Sequence, residues 1–243
     1  MKRPTLKHLG LAALLAGVPA ATQAHGVWLE MQHGELAVVY GHGAEEDSYD
    51  PAKLTSISLC PGGGTCAPAT TTVNPTFVTL AMPAEPSVIT AEFDNGYWSK
   101  DAAGDWQNLS KDMVPGATEG GRYLKHVTYL SGPIAGGSKP MGMALEIVPL
   151  TDPFAMRAGD VLAVQVLLNG APLAGAEVTA DYVNATDAAP VVTDAEGKAM
   201  VPVRNQGLNV IAVSHSEAAP DPTKADEIGH TATLSFMLAH GGE

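Results

Sequence analysis

Residues 25–42 read His25-Gly-Val-Trp28-Leu-Glu30-Met-Gln-His33-Gly34-Glu-Leu-Ala-Val-Val-Tyr40-Gly-His42. Apolar and polar side chains alternate on both sides of His33-Gly34, the pattern of two strands joined by a two-residue turn. Glycine accepts the positive φ that such turns need, and histidine adopts it more readily than most residues. With those two at the turn, Gln32 pairs with Glu35, Met31 with Leu36, and the numbers of each further pair add to 67. Val27, Leu29, Met31, Leu36, Val38 and Tyr40 then share one face. Trp28, Glu30, Gln32, Glu35 and Val39 share the other. His25 falls opposite His42, with Cβ atoms about 5 Å apart.

The same period-two pattern extends along the chain. Glycine (26) and proline (18) punctuate short β-branched runs, and helical periodicity is almost absent. The expected fold is all-β, with two β-sandwich domains in tandem. Candidate strands include Ser56–Leu59, Val88–Phe93, Tyr123–Leu130 and Ala144–Val148. Further along come Val161–Leu168, Ala199–Val203, Leu208–His215 and His230–Leu238. Pro149 to Pro153 holds two prolines in five residues, which marks a boundary between residues 25–149 and 150–243. The polar, aromatic-dotted stretch 94–122 reads as a long loop carrying Trp98 and Trp106, and Glu45-Glu46-Asp47 reads as a solvated charge run. Cys60 and Cys66 flank Pro-Gly-Gly-Gly-Thr, a spacing that suits a small disulfide-closed hairpin tip in an oxidising compartment, with a two-thiol metal clasp as the rival.

Residues 1–24 have the parts of a secretory signal. Lys2, Arg3 and Lys7 start it, Leu9–Val18 is apolar, and Thr22-Gln23-Ala24 offers small residues for cleavage. Cutting after Ala24 leaves His25 as the first residue, and the apolar run is too short to span a bilayer. The first 24 residues contain three of the 13 basic residues and none of the 26 acidic ones, so processing takes the net charge from −13 to −16. Such a surface disfavours nucleic acid and anionic membranes. There is no Gly-x-Ser-x-Gly, His-Glu-x-x-His or phosphate-binding glycine loop, and no enzymatic activity is expected.

An N-terminal histidine can grip one metal ion through its free amine and its imidazole. With His42 across the hairpin, three nitrogens converge, a donor set that suits nickel, copper, cobalt or zinc. The competing reading makes His42 a polar strand-end residue and His25 a frayed terminus. His126 and His215 are further candidates. His126 reads first as a half-buried strand histidine, and His215 ends a strand where it could close a site at the domain seam. His33 belongs to the turn tip, His230 starts the last strand and His240 lies in the tail.

Several segments resemble a family of exported bacterial proteins that carry a domain of unknown function. The family is found with nickel and cobalt uptake systems and was once mislabelled as a nickel-transporter subunit. The resemblance rests on Ala24-His25-Gly-Val-Trp28-Leu-Glu30, Tyr40-Gly-His42-Gly43, Asp94-Asn-Gly-Tyr-Trp98-Ser-Lys100, Arg122-Tyr-Leu-Lys125 and Glu146-Ile-Val-Pro-Leu-Thr-Asp-Pro153. Gly170-Ala-Pro-Leu-Ala-Gly175-Ala-Glu-Val178 and Thr193-Asp-Ala-Glu-Gly197 are similar to transthyretin-like and carboxypeptidase-regulatory-like sandwiches, and so speak to fold. The resemblance implies a periplasmic metal-binding accessory protein, nickel favoured, with His25 and His42 as ligands. Its partners would be the membrane components of a metal-uptake transporter. Two other functions stay open: an envelope interaction module without metal, and a copper oxygenase of the N-terminal-histidine kind.

Overall fold

The computed structural model describes residues 25–239; the signal-peptide expectation for residues 1–24, and His240, lie outside them. Up to residue 149 the chain forms β1 (Gly26–Gln32), β2 (Glu35–His42), β3 (Glu45–Asp47), β4 (Leu54–Pro61), β5 (Ala67–Pro68), β6 (Thr71–Val73), β7 (Val78–Leu80), β8 (Ser87–Lys100), β9 (Trp106–Gln107), β10 (Glu119–Leu130) and β11 (Leu145–Pro149). Beyond it come β12 (Val161–Leu168), β13 (Ala171–Pro172), β14 (Glu177–Thr179), β15 (Val191–Val192), β16 (Lys198–Pro202), β17 (Leu208–Ala218) and β18 (Glu227–Met237). The all-β expectation holds. No helix among the described residues is long and apolar enough to cross a membrane.

The strands form three sheets. A five-stranded sheet runs β1-β2-β7-β6, with β3 on β2. A nine-stranded sheet runs β15-β14-β17-β18-β10-β8-β4-β5, with β9 on β8, and a four-stranded sheet joins β11, β12, β13 and β16. The large sheet draws strands from both sides of residue 149. Its seam is the parallel pairing of β10 with β18, from Gly121 opposite Glu227 to Leu130 opposite Phe236. The hydrogen-bonded framework is therefore continuous across the boundary read from the prolines.

Three apolar clusters hold the layers together. Leu145, Ile147, Leu162, Val164 and Val166 of the small sheet pack on Ile211, Val213, Leu234 and Phe236 of the large one. Val27, Leu29, Leu36 and Val38 pack on Ile89, Phe93, Val127 and Tyr129. The opposite face of the same hairpin carries Trp28, Ala37 and Val39, which pack on Tyr182, Val210 and Ala212. The first hairpin is thus buried on both faces. The outer edge of β1 is also covered: Thr233 Oγ1 donates to the Val27 carbonyl at 2.6 Å and Ser235 Oγ to the Leu29 carbonyl at 3.1 Å. Side-chain hydroxyls there take the place of a neighbouring strand.

Two loop expectations are corrected. Residues 94–100 continue β8 and residues 119–122 open β10, so the long loop 94–122 shrinks to 101–118 with the short β9 inside it. Asp94-Asn95-Gly96 has turn chemistry, but the turn is a bulge within a strand. The Asp94 carboxylate accepts from the Gly96 N–H at 2.9 Å, and the pairing with β10 shifts between Arg122 and Leu124. Glu45-Glu46-Asp47 is exposed, as expected of a charge run, but it forms the edge strand β3 against β2.

Candidate functional site

The hairpin turn has the geometry its sequence calls for. His33 (φ 52°) and Gly34 (φ 91°) are both left-handed, and the pairs run from Gln32 opposite Glu35 to Gly26 opposite Gly41. This is the register read from the sequence. It brings His25, just before β1, and His42, at the end of β2, to the open end of the hairpin. His33 is exposed at the other end.

Each histidine is held by different neighbours. His25 Nε2 lies 2.8 Å from Asp47 Oδ2 on β3. Its ring stacks on Tyr40 at 5.0 Å, and Tyr40 stacks in turn on Phe93 at 5.4 Å. An ionised carboxylate only accepts, so Nε2 carries the hydrogen and Nδ1, the nitrogen nearer the residue's own backbone nitrogen, keeps its lone pair. His42 Nδ1 lies 3.3 Å from the Tyr182 hydroxyl, with the two rings edge to face. Burial pushes the Tyr182 hydroxyl up to about 12, so it stays a neutral donor at ordinary pH. A hydroxyl has one hydrogen and the Gly41 carbonyl can only accept it, so the hydroxyl oxygen takes the His42 Nδ1–H and Nε2 keeps its lone pair. Tyr182 occupies the room left by two glycines: its hydroxyl approaches the Gly41 carbonyl at 3.4 Å, and a Cβ on Gly26 would fall 2.7 Å from its ring.

A cavity of about 940 Å³ opens beside this end of the hairpin. His42, Tyr182, Tyr123, Trp106, Ser214 and Glu227 are among its walls. Trp98 is tied down through its indole N–H to the Asn95 carbonyl, whereas Trp106 is part-exposed at the cavity rim. Below Thr231, another wall residue, lies Lys125. Its side chain is fully buried, and Nζ donates to Thr231 Oγ1 at 3.2 Å. Burial lowers its pKa to about 8. Lys125 escaped the sequence reading, although its alternation with Val127 and Tyr129 places it on their buried face.

The other two candidates lie on the opposite face of the large sheet. His126 is buried, with Nδ1 2.6 Å from Glu92 Oε2 and Nε2 2.9 Å from His230 Nδ1. Both of its ring nitrogens are therefore engaged. His215 is the cross-strand partner of His230 on β17. Glu92, Glu217 and His230 were not singled out as a group in the sequence, because the pairing that unites them spans residues 92 to 230. Among the described residues, no group of three or more His, Cys, Asp and Glu side chains is arranged to hold a metal ion. Cys60 and Cys66 form the expected disulfide, which excludes a two-thiol clasp.

These features define an all-β protein whose first hairpin is clamped between layers and ends in two histidines, His25 stacked on Tyr40 and His42 against Tyr182 at the wall of a cavity. The chain belongs to the family described as a domain of unknown function (DUF4198), whose model matches residues 22–217. It is also similar to an uncharacterized protein of Haemophilus influenzae (strain Rd), with 31% identity over 175 residues that cover 70% of this chain and 72% of that protein. No solved structure matches.

Proposed function

We propose that this is an exported, periplasmic accessory protein that binds a divalent transition metal, nickel favoured, and passes it to membrane components of an uptake system. The observation that carries this reading is the 2.8 Å contact of His25 Nε2 with Asp47. Histidine ligands commonly donate their second ring nitrogen to a carboxylate, which fixes the tautomer and the ring orientation. Here that contact leaves Nδ1 of His25 available beside its own amine once cleavage after Ala24 frees it. His42, whose ring rests on Tyr182, would add a third nitrogen, Nε2, on swinging toward His25. The amine supplies what side chains alone do not, and three nitrogen donors suit nickel, cobalt, copper or zinc. The ion is cargo, bound and then exchanged to a partner's ligands.

Titration calorimetry with nickel on the chain beginning at His25 tests the reading. One extra residue before His25 removes the chelating amine and should weaken binding at least tenfold, as should His42→Ala. Affinity should also fall as pH drops toward about 6, because bound imidazole must be neutral. Equal affinity with and without the extra residue would end the proposal.

A further inference from the structure

Four adjacent strands of the large sheet carry a line of titratable side chains on one face. Glu92 on β8 meets His126 on β10 at 2.6 Å, His126 meets His230 on β18 at 2.9 Å, and His230 Nε2 faces Glu217 on β17 at 3.6 Å. The two ring side chains are 3% and 6% exposed, whereas the terminal carboxylates are 34% and 44% exposed. The rings bridge the parallel β10–β18 seam, which joins the chain before residue 149 to the chain after it.

Counting hydrogens shows what this line tolerates. Glu92 only accepts, so His126 donates from Nδ1, and its Nε2 accepts from His230 Nδ1–H. The neutral pair thus fills both short contacts and turns the His230 Nε2 lone pair toward Glu217, too far away for a hydrogen bond. One added proton fits on His230 Nε2, facing Glu217, and breaks nothing. A second does not fit. All four ring nitrogens would then carry hydrogen, and two N–H donors would oppose each other across 2.9 Å.

The surroundings favour few protons. Burial is the largest influence on His230 and holds its pKa below the usual histidine value; His126 and His215 act in the same direction, while Glu217 and Glu92 oppose them. Lys125, on the same strand as His126, lies on the other face of the sheet and bonds Thr231.

We propose that His126 and His230 form an acid-operated latch on the β10–β18 seam, closed with no added proton or one and forced open by the second. In an opened seam both rings meet water and take protons near pH 6.5. The closed seam holds at most one. Below about pH 6 the open form therefore carries at least one proton more, and its population rises about tenfold or more per pH unit.

Amide hydrogen exchange on the chain beginning at His25, expressed as protection factors from pH 7.5 to 5, tests the latch. Residues 124–128 and 229–233 should lose protection about tenfold or more per unit below about pH 6, while the amides of β12 hold theirs. His230→Gln removes the titrating ring and should flatten that loss. Glu92→Gln alters a part-exposed side chain that can still accept from Nδ1–H, so the fold is spared. It removes the charge that offsets the first proton, and opening should begin at higher pH. The same pH dependence at β12 as at the seam, or a Glu92→Gln profile identical to that of the native protein, would overturn the proposal.

Discussion

His25 Nε2 sits 2.8 Å from Asp47 Oδ2, and this contact ties the residue before the first strand to an edge strand. Both side chains are about half exposed, so the pair adds little to folding stability. Asp47→Ala should lower unfolding free energy by less than about 1 kcal/mol. It should nevertheless weaken nickel binding by about tenfold or more, because it frees the ring and its tautomer. Denaturant titration and calorimetry on the same variant separate the two effects; a large stability loss with unchanged affinity would make Asp47 purely structural.

Tyr182 fills the space above Gly26 and packs against Trp28. A methyl group at Gly26 would lie 2.7 Å from the Tyr182 ring, which cannot retreat without displacing Val210 and Ala212. Gly26→Ala should cost about 1–3 kcal/mol through overpacking. The double variant with Tyr182→Ala should show less than the sum of the two single losses, measured by urea denaturation.

Lys125 gives a pH signature of its own. The folded chain releases this proton near pH 8, and the unfolded chain near 10.5. Between those values the unfolded state holds the extra proton, so stability rises with pH, and the full burial cost is felt below 8. Lys125→Met removes the cost and leaves Thr231 bonded to Ser214. The variant should be more stable than the native chain by about 1–3 kcal/mol at pH 7. The difference should narrow by pH 9.5; a constant gap across that range would contradict the assignment.

The disulfide closes a short loop, with the cysteines six apart in sequence. Loop-closure entropy for that length is worth about 2 kcal/mol. Replacing both cysteines with serine should lower the urea midpoint accordingly, with some further loss because Cys60 is buried in the main core. Thermal unfolding with and without reductant offers an independent check.

The first hairpin was legible because its signals are local: a His-Gly turn and a period-two apolar face together admit one register. The disulfide was legible for the same reason. Burial of the hairpin's second face was not, because Trp28 and Val39 meet Tyr182 and Val210, far along the chain. Nor was the β10–β18 pairing, which rests on contacts about a hundred residues apart, so the neighbourhood of His126 stayed hidden. The polar stretch from Asp94 read as loop because a bulge at Asp94-Asn95-Gly96 breaks the period of β8, and only the facing strand shows that the pairing resumes beyond it. Short edges such as β3, β6 and β9 carry too few residues to show a period.

The hydroxyls of Thr233 and Ser235 that cap β1 have a kinetic corollary. The first strand of the described chain is completed by the last, 206 positions downstream. Until it arrives, a stretch rich in tryptophan, leucine and valine waits with an unsatisfied margin, open to mispairing with any passing strand. The edge of the first hairpin is therefore closed only once the end of the chain has been made.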